Sequence, residues 1–502
     1  MSDPSANAGQ VLSRQAVRGT LAVFAGNTVT RLVGLAGSLY LLYKVGVEDF
    51  GVVAYAASLV ALCDAASNWG FAQAAIHRRE RVDETFATFL VLRVAMLLGV
   101  LGILAAGSAV FRQALSQRTH FGVLAALAAA ALCDAASDVQ TARLARALRF
   151  GRVMAADVAS ALAATAAAVG LAALGQGLWA LVAQRVLHAL VRAVALACLG
   201  VVEPIRIGFH AQDARWLLRF ALPLWFGSLA TAWVLKYDDL VVGQLRGTAA
   251  LGYYDRAYWL ALLPLAFVTG VLTRVSFPLY ARLQGDRAQL SEAFRIVSGA
   301  TLRLAGPLAL GLALALPDFL VVARLERWLP MTPLVRWLLL YAILRPLMDD
   351  AGGLLTAVGR PKTCGHTLVG QALALLALCP LFTWRWGAQG AAASVGLVVL
   401  VGLALWYARF LPRVVDIAYA HMLLWPLLGL GAAGAAALAF ERASGLGPGL
   451  ASGVAKLAAV GLVYVAALLA LDGRQTLADL RSLRRHLWAA SPQSRGEVPS
   501  DA

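Results

Sequence analysis

Charge is what this sequence has least of. Asp, Glu, Lys and Arg make up 14% of its 502 residues, and hydrophobic residues 60%. Soluble domains carry roughly a quarter charged residues, spread along every element. Length alone would suggest several soluble domains, but most of this chain cannot face water. Cysteine is sparse too. Cys63, Cys133, Cys198, Cys364 and Cys379 lie in or beside apolar runs, with no C-x-x-C or metal-ligand spacing. That argues against a disulfide frame or a zinc site and for five small buried hydrophobes. P-loop, H-E-x-x-H, G-x-S-x-G and exposed D-x-D patterns are all missing, so neither a catalytic constellation nor a cofactor or metal is expected.

What fills the chain is long apolar runs. Read between charged or Pro/Gly breaks, they give spans at 20–43, 51–75, 86–110, 121–142, 153–174, 177–200, 217–243, 250–279, 295–316, 332–357, 363–383, 387–408, 418–440 and 448–471. Most are about long enough to cross a hydrocarbon core roughly 30 Å thick as a helix. The expectation is an all-α, polytopic membrane protein of about fourteen transmembrane helices. Residues 1–19 are polar, and the first apolar run lasts past Leu42. That run exceeds a signal-peptide core of about 7–15 residues and reads as a retained helix.

The loops test the count. One side collects 23 Lys and Arg, densest at Arg78, Arg79, Arg81 and at Arg143, Arg146, Arg149, Arg152; the other collects 8, among them Lys44, Arg246 and Arg442. Positive charge accumulates on cytoplasmic loops, so both termini are expected inside. The net charge of +16 then reflects topology and attraction to anionic headgroups of membrane lipids, not nucleic acid.

Sliding the chain against itself by 201 residues brings Arg18 onto Arg219, Gly26 onto Gly227 and Thr30 onto Thr231. Gly46, Phe50, Gly51 and Ala56 then meet Gly247, Leu251, Gly252 and Ala257. The shared core is G-x-x-x-[F/L]-G in an outer loop, where a tight turn needs permissive backbone. Six helices separate the copies, which implies two parallel six-helix lobes. The division is a tail 1–19, a lobe 20–200, a linker 201–216, a lobe 217–408, two further helices within 418–471 and a basic tail 472–502. A shorter echo, ALCDAAS at 61–67 and 131–137, carries Asp64 and Asp134.

Three stretches add a family likeness. They are RGTLAVFAGNTVTRLVGL with GVEDFGVVAYAAS and GFAQAAIHRRE, then KYDDLVVGQLRGTAALGYYDRAYWLALLP with VSFPLYARLQGD at 236–286, and LLLYAILRPLMDDAGGLLTAVGRPK at 338–362. They resemble the polysaccharide transporters, or Wzx-type flippases, of the multidrug/oligosaccharidyl-lipid/polysaccharide exporter superfamily, over most of residues 15–410. The resemblance implies two six-helix lobes around a central cavity. It also implies an undecaprenyl-pyrophosphate-linked oligosaccharide as substrate, moved from the cytoplasmic to the periplasmic leaflet of the cell inner membrane by alternating access. A polysaccharide polymerase and chain-length machinery would be its partners in exopolysaccharide or lipopolysaccharide synthesis. A peptidoglycan-precursor flippase differs chiefly in the sugar. A drug or cation antiporter would favour a lone acidic site, whereas here Arg outnumbers Asp at mid-depth. A polymerase or ligase would need a sizeable outer loop, and the longest, near 317–331, has about 15 residues.

Charge at mid-bilayer costs a few kcal/mol even on mild scales, so it faces a partner or a wet cavity. Arg31, Arg93, Arg303 and Arg345 lie within spans, and Arg185, His188 and Arg192 share one helical face. They form either a cationic cavity for pyrophosphate, which suits the guanidinium fork, or internal pairs with Asp64, Asp134, Asp138 and Asp157. Lys236, Asp238 and Asp239 have the neutral repeat partners Leu35, Gly37 and Ser38. They are candidates for a coupling ion, a gate or a plain ion pair. Trp233, Tyr237 and Tyr258 are candidates for stacking on sugar rings, and terminal aromatics such as Trp225 and Trp259 for interface anchors. Pro264 and Pro307 are expected to bend their helices.

The charge asymmetry fixes a topology to be measured. Reporter fusions after Gly175 and Gly247 should read as periplasmic, and fusions after Arg149 and Arg287 as cytoplasmic. One reversed reporter would break the count.

Overall fold

The computed structural model describes residues 25–106, 118–199 and 207–489, with side chains except at 118–120, 264–275, 474 and 476–489. The N-terminal tail 1–19, linker residues 201–206, the Pro264 side chain and the basic tail beyond 489 lie outside the described residues. Those described are helical, with short connections. The elements are α1 (25–44), α2 (Val47–Ser67), α3 (Phe71–His77), α4 (Val82–Ala106), α5 (Arg118–Arg146), α6 (Phe150–Ala173) and α7 (Gly177–Leu199). Then come α8 (Ala211–Leu283), α9 (Arg287–Val322), α10 (Thr332–Ala357), α11 (Pro361–Leu405), α12 (Trp425–Ser444) and α13 (Leu450–Ala489).

Among the described residues, 11 helices are long and apolar enough to cross a membrane, against about fourteen expected crossings. Two of those helical stretches, Ala211–Leu263 and Pro361–Arg413, run to 53 residues each. At 1.5 Å per residue each is long enough for two crossings. Each also contains a glycine outside the helical region, Gly247 (φ 85°) in α8 and Gly387 (φ 66°) in α11. A side chain there would be strained, so glycine marks both breaks. Helix α9 instead continues from Arg287 to Val322 through Pro307 and Pro317.

The chain divides into two compact units, residues 1–255 with 375–391, and residues 256–374 with 392–502. In the first, α6 packs along α7. Its buried stripe Ala156, Ser160, Ala164, Ala168, Ala172 repeats every four residues, and small residues on one face let helix backbones approach closely. Phe71, Phe86, Phe89, Val139 and Leu217 build a core where α3, α4, α5 and the start of α8 meet. There Asp213 is fully buried between Arg78 (3.5 Å) and Arg81 (3.1 Å). Arg146 donates to the carbonyls of Ala75 (3.0 Å), Ile76 (3.1 Å) and Arg78 at the end of α3.

In the second unit α9 packs against α10, α12 and α13. Lys456, 4% exposed, lies 2.8 Å from the fully buried Asp318 and 3.1 Å from Glu441. The amide of Gly449 donates to the same aspartate at 3.3 Å. Buried charge is tolerated here because each partner neutralises the other, and the cluster fastens the last two helices to α9.

Candidate functional site

Three groups of charged side chains lie inside the apolar helices. The largest belongs to α2, α4, α5, α6 and α7. Arg93 is 1% exposed and bonds Asp64, Ser67 (2.6 Å) and Asp138 (3.4 Å). Arg192 pairs with Asp157 at 2.7 Å and donates to Thr141 at 3.2 Å. Asp134 stands within electrostatic reach of Arg192, Asp64, Arg185 and Arg93. The two ALCDAAS echoes thus deliver their aspartates to one network. Four carboxylates meet three guanidiniums there, so the group is mixed in charge rather than a bare cationic cavity. Asp64 and Asp138 nevertheless remain about a third exposed, at 35% and 34%. Arg185 is exposed beside them, and in α1 Arg31 is exposed as well.

The second group joins α8 to α2. Asp239 is buried, accepts from Lys236 at 3.1 Å and from the Ser58 hydroxyl at 2.8 Å. Asp238, 1% exposed, accepts from the Tyr254 hydroxyl at 2.6 Å. Lys236 keeps 39% of its side chain exposed. The rings of Trp233 and Tyr237 stand 4.9 Å apart and tilted, both half-buried. The structure therefore brings together all three coupling or gate candidates and two of the three sugar-stacking candidates.

The third group lies in the other unit. Arg345 bonds Asp349 at 2.9 Å within α10, and that carboxylate is 36% exposed. The neighbouring Asp350 is buried and held by Ser298 and by the Tyr280 hydroxyl at 3.0 Å. Tyr258 packs on Tyr341 with centroids 5.4 Å apart. Arg303 bonds Asp472 at 2.8 Å and the His421 carbonyl at 3.0 Å, and the His421 ring reaches Asp472 at 2.7 Å.

Of the six candidate arginines, Arg93, Arg192, Arg303 and Arg345 each hold a carboxylate of the protein. Sequence reasoning missed Ser58, Ser67, Thr141 and Ser298. A hydroxyl in a helix satisfies itself on a carbonyl one turn back, so nothing in its position announces a partner on another helix. Asp472 was missed because it opens a basic run that reads as tail, yet it is 5% exposed and interrupts α13 (φ −143°). The described residues contain no grouping of His, Cys, Asp and Glu suited to a metal ion. What the groups offer is paired charge at membrane depth with one exposed end, able to exchange a partner in the protein for an ion or a charged head.

Comparison with known proteins follows the same lines. Residues 45–333 match a family described as polysaccharide biosynthesis protein. The teichuronic acid biosynthesis protein TuaB of Bacillus subtilis (strain 168) is 31% identical over 123 residues, 24% of this chain and 26% of that protein. The succinoglycan biosynthesis transport protein ExoT of Rhizobium meliloti (strain 1021) is 28% identical over 285 residues, 55% and 56% of the two chains. The chain thus aligns with a quarter and about half of the length of these two relatives. The lipopolysaccharide biosynthesis protein WzxC of Escherichia coli (strain K12) is 23% identical over 382 residues, 75% and 77% of the two chains. In fold the chain is similar to the lipid II flippase MurJ in an inward closed conformation, with a TM-score of 0.69 and 14% identity over 90% of this chain and 98% of that one. An inward-facing multidrug resistance MATE family transporter gives a TM-score of 0.55 at 14% identity, over 83% and 96%.

The geometry separates two arginines by what they do. Arg93→Ala leaves a buried gap and strands Asp64 and Asp138; losing one partner of a fully buried pair costs about 3–5 kcal/mol, and the one-third exposure of both carboxylates makes the cost smaller here. Its folded yield in detergent, read by size-exclusion chromatography, should collapse. Arg185→Ala should elute like the parent. An Arg93→Ala protein as monodisperse and heat-resistant as the parent would show that the pairing carries no structural weight.

Proposed function

Because the chain belongs to the polysaccharide biosynthesis protein family, we propose that it carries lipid-linked oligosaccharide units across the cytoplasmic membrane, from the inner to the outer leaflet. The chain is a multi-pass membrane protein with the fold of the multidrug/oligosaccharidyl-lipid/polysaccharide exporter superfamily. Family and fold are those of transporters, and we read the chain as a transporter, not an enzyme. Its substrate in this reading is an oligosaccharide on a polyprenyl pyrophosphate, and both termini face the cytoplasm.

The observation that carries the reading is mixed, partly exposed charge at membrane depth in a chain of this family. A purely apolar groove would suit a lipid tail but not its head. A pyrophosphate and a sugar chain need polar partners throughout the crossing, since each charge brought bare into the bilayer centre costs about 2.5–3.5 kcal/mol on insertion scales. Arg31 and Arg185, exposed at membrane depth, are the first contacts for the pyrophosphate in this scheme. Arg345 can follow by releasing Asp349. Arg93, Arg192 and Arg303 serve as scaffold, holding their helices through carboxylates. Trp233, Tyr237 and Tyr258 offer ring faces to sugars.

Energy can come from the membrane potential. Moving one negative charge outward across an inside-negative membrane releases about 2.3 kcal/mol per 100 mV. Lys236, Asp238 and Asp239 are the proposed place where a coupled ion enters or the path is gated. A polymerase and chain-length machinery would act on the delivered units.

Depletion of the chain in its native cell should stop polysaccharide export and leave lipid-linked units facing the cytoplasm. Arg31→Ala and Arg185→Ala, at unchanged membrane levels, should each lower export at least tenfold. Export undiminished by depletion would end the reading; export undiminished only in Arg31→Ala would remove Arg31 from the pyrophosphate path.

A further inference from the structure

The internal repeat closes on itself. Gly51 in α2 and Gly252 in α8 are equivalent residues, and each lies against the backbone of the other copy. A methyl group on Gly51 would overlap the carbonyl oxygen of Thr248 and stand 3.0 Å from the Gly252 nitrogen. A methyl on Gly252 would overlap the carbonyl oxygen of Val47 and stand 3.0 Å from its carbon. Val47 and Thr248 are equivalent under the same 201-residue shift, so the contact is reciprocal, as in an isologous two-fold interface. The obstacle on each side is backbone, which cannot rotate away as a side chain would. The matched hydrophobic positions are buried in both copies, Phe50 at 4% and Leu251 at 0%.

Hydroxyl hydrogen bonds continue the seam. Thr248 donates to Glu48 at 3.3 Å, Tyr55 to Gln244 at 3.0 Å and Ser58 to Asp239 at 2.8 Å. The contrast with Arg93, clamped by two carboxylates inside the same unit, is one of strength. These Arg93 bonds are ion pairs with charge on both sides, whereas every seam bond has a neutral hydroxyl as donor, and between Tyr55 and Gln244 neither group is charged. A seam of small residues and hydroxyls is one that separates and re-forms. Five residues before each crossing glycine the backbone leaves helical geometry, at Gly46 (φ −67°, ψ 153°) in one copy and at Gly247 (φ 85°) in the other.

We propose that the two G-x-x-x-[F/L]-G motifs form the outer seal of the transport path. The first glycine of each is the pivot, and the second is the face that interlocks with the other copy when the outer side is shut. This rests on the transport reading above and on the expectation, from the loop charges, that the breaks at Gly46 and Gly247 face outward. Any side chain at Gly51 or Gly252 then holds the outer side open.

Two measurements test it, both in a protein whose five cysteines are replaced. A disulfide between Glu48→Cys and Thr248→Cys should reduce flipping of a lipid-linked oligosaccharide in proteoliposomes at least tenfold, with recovery on reduction. Separately, Ser58→Cys should react with a membrane-impermeant maleimide from the outer side at least five times faster once Gly51→Ala or Gly252→Ala is added. The added disulfide should suppress that labelling. Full flipping with the disulfide closed would make the contact a permanent brace and overturn the proposal, as would labelling that ignores both glycine substitutions. A cysteine-free parent that flips nothing would instead count against the transport reading. The labelling arm needs no substrate and would still decide the seal.

Discussion

A charge inside an apolar span has to be matched or wet, and the fold is arranged around that requirement. Arg93 sits 1% exposed because Asp64, Asp138 and Ser67 converge on it from α2 and α5. Take the three partners away and the helix carrying Arg93 has no reason to remain buried there. Asp318 with Lys456, and Asp472 with Arg303, follow the same rule in the other unit. A balanced pair costs little more than its apolar equivalent, whereas half a pair is severely unfavourable. Charged residues are therefore rare in this chain but act in groups.

Small residues make that matching geometrically feasible. Bonds of 2.6–3.4 Å between side chains on different helices require backbones close together, and the alanine stripe of α6 and the paired glycines of α2 and α8 supply the approach. Within the 1–255 unit the same design yields contacts of two strengths. Guanidinium–carboxylate groups fix α2, α4 and α5 to one another, while glycine and hydroxyl contacts join α2 to α8. A transporter needs both, since rigid elements define the path and weak seams allow it to change access.

Much of the fold was legible because the bilayer leaves few ways to be wrong. Runs of apolar residues that cross a bilayer as single segments are helices. The repeat at 201 residues picks out Gly51 and Gly252, though as parts of a tight turn; both lie inside helices, and only Gly46 and Gly247 stand at the breaks. Pairing was not legible. Nothing in the spacing distinguishes Arg93, which is locked to two carboxylates, from Arg185, which is exposed, because partner choice depends on helix rotation and tilt. The short α3 was hidden in what reads as the end of a span. The 201–216 linker similarly concealed the start of α8 at Ala211, where Asp213 is gripped by two arginines. Local polarity looked like loop in the linker because its tertiary partners lie more than 100 residues away.

The central claim is that this chain alone moves an oligosaccharide-bearing lipid between leaflets. The most direct measurement is reconstitution of the purified chain into liposomes that hold a fluorescent oligosaccharide on polyprenyl pyrophosphate in both leaflets. An impermeant glycosidase is added outside. The account predicts that cleavage proceeds past the outer-leaflet half toward completion in vesicles containing the chain, and stops at about half in empty ones. Cleavage that stops at half in both would contradict it.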